Sequence, residues 1–214
     1  MAIRVLLADD HALMREGLRT LLSAEPDFAI VAEVGDGREA VRRAAELKPD
    51  VALMDISMPE MNGIEAARII REKCPGTKVI ILSMHASSEH VHRALAAGAA
   101  GYLLKDTAGS EVMAAVRAVS AGRRYLDAAI ADSVRLRAAN AAAVRGPLES
   151  LSSRERQVLQ LVAEGKSSME IARIVHLSPK TVETYRSRLM KKLGVPDVAA
   201  LVKFAVRHGL TPPQ

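Results

Sequence analysis

Five polar residues end or follow short apolar runs in the first half of the sequence. Asp9 and Asp10 come after the first run, Asp55 ends the third, Ser83 ends the fourth and Lys105 follows the fifth. If these runs are strands of one parallel sheet, their carboxyl ends meet at one edge, where such sheets bind ligands. Three carboxylates, a hydroxyl and an ammonium group would then share one pocket.

Converging carboxylates repel one another, and a hard divalent cation with oxygen ligands, most simply Mg²⁺, removes that repulsion. Lys105 would attract added negative charge, and Ser83 can donate a hydrogen bond to it. This combination is typical of a phosphoryl acceptor in which Asp55 attacks phosphorus as a carboxylate nucleophile. A simpler interpretation stays open, in which Asp9 and Asp10 cap the first helix and Lys105 makes a surface ion pair.

A second polar surface lies on a predicted helix over residues 179–193. At 100° per residue, Val182, Leu189 and Leu193 fall on one side with Tyr185 beside them, which predicts a core face. The opposite face is basic and hydrogen-bonding, a composition that suits the major groove of DNA. The candidate DNA contacts are Lys180, Thr181, Glu183, Thr184, Ser187, Arg188, Lys191 and Lys192.

The basic residues of this face are expected to neutralise phosphates, whereas Glu183, Thr184 and Ser187 are short enough to touch base edges. Arg186 lies nearer the core face, so we assign it to packing or an intramolecular pair. A solvated helix face is the alternative that charge alone favours. The preceding helix and a tight turn at residues 176–178 favour a helix-turn-helix instead.

The acidic pocket must be positioned by short β-branched runs that alternate with amphipathic segments. Five such units predict a parallel sheet with helices on both faces. Strands are predicted at residues 3–8, 28–34, 51–54, 79–82 and 101–104. After a first helix that contains Leu13, Leu18, Leu21 and Leu22, helices are predicted at 38–47, 63–73, 88–97 and 110–121.

The alternation stops at Gly122, so we expect one domain over residues 1–122. A linker over 123–148 would hold an Ala-rich helix at 128–144, which ends at the breaker pair Gly146-Pro147. An all-α domain of four helices is expected over 149–214. Its helix boundaries are marked by the capping boxes Ser152/Glu155 and Ser167/Glu170, the pair Ser178-Pro179, and the C-terminal glycines Gly165 and Gly194.

Composition restricts the class of protein. Hydrophobic residues make up 49% and charged residues 26% of the 214 residues, as in globular proteins. No apolar run approaches the ~18 residues of a membrane span, and Cys74 is the only cysteine, so a cytoplasmic protein without a membrane partner is expected. Residues 1–127 hold 16 basic and 18 acidic side chains, but residues 128–214 hold 14 and 7. The basic part indicates nucleic acid or another anionic partner.

Residues 1–122 resemble the receiver domain of two-component response regulators. The motifs that carry the match are Ala-Asp9-Asp10-His, Leu-Met-Asp55-Ile-Ser-Met-Pro59 with Asn62-Gly63, Ile-Leu-Ser83-Met-His and Gly101-Tyr102-Leu-Leu-Lys105. The resemblance implies a flavodoxin-like, doubly wound α/β fold with five parallel strands. It also implies that a sensor histidine kinase phosphorylates Asp55.

By the same resemblance, Asp10, Asp55 and the backbone carbonyl of Ser57 would hold Mg²⁺, with Asp9 acting through water. Ser83 and Lys105 would bind the phosphoryl group. Tyr102 would be the aromatic residue that turns inward as Ser83 moves. We expect phosphorylation to bias a bistable surface around the fourth and fifth strands.

Residues 151–210 resemble the LuxR-type helix-turn-helix domain. The match rests on Glu170-Ile171-Ala172, Ser178-Pro-Lys-Thr-Val182 and Lys-Leu-Gly194-Val. Together the two resemblances indicate the NarL/FixJ branch of response regulators, whose members bind double-stranded DNA as homodimers. Glu183 stands where some relatives carry Lys, so their operator preference does not transfer. Four apolar residues of the last helix are expected either at the dimer contact or in the core: Val198, Leu201, Val202 and Ala205.

We therefore expect a transcriptional regulator controlled by phosphorylation, and not an enzyme. A receiver that switches without phosphate is one alternative. A Mg²⁺-dependent phosphatase with Asp55 as nucleophile is another, but Ser57 stands where such phosphatases place a second aspartate, so only slow hydrolysis of the phospho-aspartate is expected. A LuxR-type regulator gated by a small molecule is disfavoured because the first domain shows no aromatic-lined pocket.

Overall fold

The computed structural model describes residues 2–84, 86–107, 109–131, 147–208 and 210. The chain divides into two compact units, one built around a sheet and one built from helices. The Ala-rich helix predicted at 128–144 lies outside the described residues from 132 onward, and residues 128–131 are helical.

The first unit contains one parallel sheet in the order β2-β1-β3-β4-β5-β6. Central strands such as β3 are apolar at successive positions because helices cover both faces of the sheet. Its strands are β1 (Ile3–Ala8), β2 (Phe28–Val34), β3 (Val51–Asp55), β4 (Lys78–Ser83), β5 (Gly101–Leu104) and β6 (Tyr125–Leu126). The doubly wound parallel fold is confirmed.

The prediction of five strands was wrong by one. β6 contains only Tyr125 and Leu126, which pair in parallel with Gly101 and Tyr102 of β5. Two residues are too few to show the alternation or the continuous apolar run by which a strand is predicted. The short strand nevertheless covers the edge of β5, which would otherwise present unpaired backbone groups.

Five helices connect the strands. On one side of the sheet, α1 and α5 contact each other and enclose a core that includes Leu18, Leu22, Val116 and Val119. On the other side, α2 packs on α3 and α3 packs on α4. These helices are α1 (Ala12–Ser23), α2 (Gly37–Leu47), α3 (Gly63–Lys73), α4 (Ser88–Ala97) and α5 (Gly109–Ser120).

The second unit is all-α, as predicted. A 3₁₀ turn at Pro147–Ser150 precedes four helices, and both predicted capping boxes are present, on Ser152 with Glu155 and on Ser167 with Glu170. Each box satisfies first-turn amides that would otherwise have no acceptor. The helices are α6 (Ser153–Ala163), α7 (Ser168–Val175), α8 (Pro179–Leu193) and α9 (Val198–Arg207).

The core of this unit settles the role of two residues on α9. Leu201 and Ala205 are fully buried in it, while Val198 and Val202 are partly buried against it. Leu201 and Ala205 are therefore core residues and are not available for a dimer contact. None of the helices in the described ranges is long and apolar enough to cross a membrane.

Candidate functional site

Three buried charged side chains meet at the carboxyl edge of the sheet. Asp9 follows β1 and Asp55 ends the adjacent strand β3, and these residues are 1% and 2% exposed. Lys105 follows β5, and its Nζ lies 2.8 Å from Asp9 Oδ2 and 3.0 Å from Asp55 Oδ2. Because the Lys105 side chain is only 6% exposed, it does not make the surface ion pair of the simpler interpretation.

The electrostatics of this pocket favour an added positive charge. Burial is the main cause that raises the pKa of Asp55; the charge of Asp9 adds to it, and Lys105 opposes it. Burial alone would lower the pKa of Lys105, but its contacts with Asp9 and Asp55 raise it overall. The pocket thus combines a lysine that stays cationic with an aspartate whose ionised form is disfavoured.

The acidic residues offer the oxygen donors that a hard cation requires. Asp9, Asp10, His11 and Asp55 each place one ligand atom so that all lie within 4.8 Å of one another. Asp9 Oδ2 and Asp55 Oδ2 are buried, and each forms an ion pair with Lys105. Among the described residues, neither oxygen accepts a hydrogen bond of regular geometry. Two such oxygens fit a divalent cation.

Helix capping does not account for Asp9 and Asp10. The N-cap residue of α1 is His11, and α1 begins without a side-chain cap. The backbone amide of His11 donates to Asp9 Oδ1 at 2.9 Å. Asp10 is exposed, and its Oδ1 lies 2.8 Å from Nδ1 of His11.

Ser83 and Tyr102 line the same edge from β4 and β5. Ser83 ends β4 and is 1% exposed, and Tyr102 is fully buried. Burial raises the pKa of Tyr102 to about 12, while its hydrogen bond with Ser83 opposes that rise. In this structure Tyr102 is therefore directed inward and joined to Ser83. Ser57, which is partly buried, contributes its backbone amide to the carboxylate of Asp55.

The pair Asn62-Gly63 is required by its position beside Asp55. The Asn62 side chain caps α3 by accepting from the amide of Glu65. A Cβ atom on Gly63 would lie only 2.0 Å from the carbonyl oxygen of Asp55. In the sequence this pair appears only as part of a motif, and the close backbone approach to Asp55 is the physical reason for the glycine.

Asp127, just after β6, is a buried carboxylate that no sequence motif indicated. It accepts from the Thr107 hydroxyl, from the amide of Leu104 at 3.4 Å and from the amide of Ala129 at 2.9 Å. Burial alone would raise the pKa of Asp127. The hydrogen bonds lower the pKa by more than burial raises it, so the pKa lies below its ordinary value. Its own amide donates to the Tyr102 carbonyl at 2.9 Å. An isolated aspartate after a two-residue strand gives no sequence signal.

In the second unit, α7 and α8 form a helix-turn-helix. His176 ends α7 in the left-handed conformation, and Ser178 caps α8 by accepting from the amide of Thr181. Val182 and Leu189 are buried in the core, while Tyr185 and Leu193 pack against it, so the predicted core face is confirmed. The exposed positions of α8 include Lys180, Glu183, Thr184, Ser187, Arg188, Lys191 and Lys192, whereas Thr181 is partly buried.

Two of the charged candidate DNA contacts, Glu183 and Lys192, also form ion pairs within their own domain. Lys192 Nζ lies 2.9 Å from Glu155 Oε2 on α6. Glu183 Oε1 accepts a hydrogen bond from the Ser168 hydroxyl, and Arg186 Nη1 lies 3.4 Å from the same oxygen. Arg186 thus makes an intramolecular pair, which is one of the two roles predicted for it.

Comparison with known proteins identifies two domains, which correspond to the two units of the structure. Residues 5–117 match the response regulator receiver domain, and residues 149–205 match the bacterial regulatory proteins of the luxR family. The chain is 40% identical over 208 residues to the transcriptional regulatory protein LiaR of Bacillus subtilis, which covers 97% of this chain and 99% of LiaR.

Two solved structures are similar over nearly the whole chain. The response regulator ChrA of a heme-sensing two-component system is 34% identical, with a TM-score of 0.54 and coverage of 98% of both chains. A structure of two RcsB dimers bound to two parallel DNAs is 26% identical, with a TM-score of 0.59, and covers 95% of this chain and 98% of RcsB.

The parallel sheet with its acidic edge, joined to a helix-turn-helix domain, defines a two-component response regulator. The chain belongs to this family, in the NarL/FixJ branch that carries a LuxR-type DNA-binding domain. It is a DNA-binding transcriptional regulator controlled by phosphorylation.

Proposed function

We propose that Asp55 is the phosphoryl acceptor of this regulator and that a sensor histidine kinase is the donor. The observation that carries the proposal is the buried triangle in which Lys105 contacts both Asp9 and Asp55 at the carboxyl edge of the sheet. An oxygen of Asp55 forms the new bond to phosphorus as the phosphorus–nitrogen bond of the donor phosphohistidine breaks. Lys105 and Ser83 then bind oxygens of the phosphoryl group.

Asp10, Asp55 and the backbone carbonyl of Ser57 would hold Mg²⁺, with Asp9 acting through water. When bound, the ion offsets the charge of the phosphoryl oxygens. Among the described residues, Asp9 Oδ2 and Asp55 Oδ2 are buried and contact only Lys105, which supports this assignment. No second aspartate stands at Ser57, so the only turnover we propose is slow loss of the phosphoryl group from Asp55.

Phosphorylation is proposed to act through Tyr102. Its hydroxyl is bonded to Ser83 in the pocket, and its backbone carbonyl accepts from Asp127 after β6. A phosphoryl group on Asp55 competes for Ser83 and so changes the partner of Tyr102. The surface around β4 and β5 is the element with two conformations. Phosphorylation shifts the population toward the conformation that forms a DNA-binding homodimer.

We propose that the protein is cytoplasmic and that α8 lies in the major groove of its DNA target. Lys180, Arg188, Lys191 and Lys192 would contact phosphates, and Glu183, Thr184 and Ser187, with Thr181 at the edge of the face, would approach the bases. The exposure of this face opposite Val182 and Leu189 supports the proposal. The RcsB dimers bound to DNA support a homodimer. The half-sites of such a dimer would lie about 34 to 36 Å apart.

The test is DNA affinity with and without acetyl phosphate and Mg²⁺, for the wild type and Asp55→Asn. The probe is a duplex selected from a random pool by the full chain. We expect acetyl phosphate to raise the affinity of the wild type and to leave Asp55→Asn unchanged. Equal affinity of phosphorylated and unphosphorylated wild type would refute control by phosphate and would favour a receiver that switches without it.

A further inference from the structure

The recognition helix α8 carries one carboxylate that is fixed by two neighbours. Glu183 is the fifth residue of α8, and its Oε1 accepts a hydrogen bond from the hydroxyl of Ser168, the first residue of α7. Nη1 of Arg186 donates to that hydroxyl at 2.8 Å and lies 3.4 Å from Oε1. The three side chains form one connected network across the helix-turn-helix.

The network binds only one of the two carboxylate oxygens of Glu183 among the described residues. Both contacts involve Oε1, and among the described residues no hydrogen bond reaches Oε2. The Glu183 side chain is 59% exposed, whereas that of Arg186 is 20% exposed. Glu183 therefore presents an oriented hydrogen-bond acceptor at the surface, and the less exposed Arg186 supplies its counter-charge.

A carboxylate at this place is best matched by one base edge, that of cytosine. Residues near the N-terminus of the recognition helix contact bases in the major groove. Cytosine presents its N4 amine there without an acceptor beside it, whereas adenine places N7 next to its amine, and guanine and thymine present acceptors. A carboxylate oxygen accepts from the cytosine amine and is repelled by the acceptors of guanine and thymine. At adenine the N7 atom repels the carboxylate and weakens its contact with the neighbouring N6 amine.

We propose that Glu183 selects cytosine at one position of each half-site, and that Ser168 and Arg186 are positioning residues that orient its carboxylate. This inference rests on the proposed placement of α8 in the major groove. It makes Ser168, which lies on the helix before the recognition helix, part of the sequence specificity of the protein.

The experiment measures the base preference of the full chain. Duplexes selected by the wild type are varied one base pair at a time, and their affinities are compared for the wild type, Glu183→Gln, Ser168→Ala and Ser168→Thr. We expect the wild type to prefer cytosine at one position by about 5- to 100-fold. Glu183→Gln should prefer adenine there, because an amide pairs with the N6 and N7 atoms of adenine.

Ser168→Ala should reduce the cytosine preference severalfold while the salt dependence of binding stays unchanged, and Ser168→Thr, which keeps the hydroxyl, should restore it. Thermal unfolding of each variant separates this effect from loss of the fold. If Glu183→Gln keeps the base preference of the wild type, the inference is wrong, although DNA binding by α8 stands. If the wild type shows no sequence preference at any position, the placement of α8 fails as well.

Discussion

The ammonium group of Lys105 lies 3.0 Å from the Asp55 carboxylate, and both side chains are almost completely buried. The same ammonium group is 2.8 Å from Asp9. One cation thus compensates two buried anions. When both carboxyl groups are ionised, this arrangement leaves one negative charge in excess, which suits the pocket to an additional cation.

Removal of the cation should destabilise the receiver domain. Lys105→Met leaves two buried carboxylates without a counter-charge, which costs about 3 to 5 kcal/mol. We expect a lower Tm for this variant in EDTA, and a larger rise of Tm on addition of Mg²⁺ than the wild type shows. Lys73→Met, which changes an exposed lysine at the end of α3, is the control. A Tm of Lys105→Met equal to that of the control would contradict the charge balance described here.

A methyl group beside Asp55 should not be tolerated. Gly63→Ala places Cβ 2.0 Å from the Asp55 carbonyl oxygen, so the backbone must shift, and we expect a loss of roughly 3 kcal/mol or more. Gly17→Ala is the matched control, since this glycine lies inside α1 and a Cβ there meets nothing within 4 Å. That variant should gain about 0.5 to 1 kcal/mol from helix propensity. Denaturant unfolding distinguishes the two, and similar values for both would refute the close approach.

Asp127 should make stability depend on pH at the acidic end. Its pKa in the folded protein is below the ordinary value of 3.8, so its stabilising effect is complete above that pH and is lost as the pH falls toward the lowered value. Asp127→Asn should destabilise the protein at pH 7 by about 1 to 3 kcal/mol, with a smaller difference near pH 3. Asp106→Asn, which changes an exposed neighbour, should have little effect at either pH. A pH-independent difference for Asp127→Asn would contradict the assignment.

The basic residues of α8 should determine how DNA binding depends on salt. Each phosphate contact that is lost reduces the slope of log K against log salt by about 0.9. We expect Lys180→Ala, Arg188→Ala and Lys191→Ala each to weaken binding to all duplexes alike and to reduce the slope. Lys203→Ala on α9 should leave the slope unchanged. Fluorescence anisotropy at several salt concentrations measures the affinity and its salt slope. An unchanged slope in all three variants would show that α8 does not contact the DNA phosphates.

Most elements could be predicted because their signals are local. Strands β1 and β2 and helices α3 and α4 have the predicted bounds, since apolar periodicity and glycine or serine boundaries mark them. The helix caps of the second unit followed from residue spacing alone, as at Ser152 and Glu155. The pocket could be anticipated because the carboxyl ends of parallel strands always meet at one edge.

The features that were missed depend on contacts between distant residues. Leu13 follows the helical pattern of α1 but is 84% exposed, because periodicity does not tell where an apolar face ends. The bonds of Asp127 join two loops on either side of α5, and the bond of Ser168 to Glu183 joins two helices. No spacing rule predicts such pairs, because they depend on how the elements pack.

Intact mass after incubation with acetyl phosphate tests the central claim most directly. The wild type and Asp55→Asn are compared with Mg²⁺ and with EDTA. We predict that the wild type gains the mass of one phosphoryl group only when Mg²⁺ is present, and that Asp55→Asn gains none. A wild type that gains no phosphoryl group under these conditions, or an Asp55→Asn variant that gains as much as the wild type, would contradict the assignment of Asp55 as the acceptor.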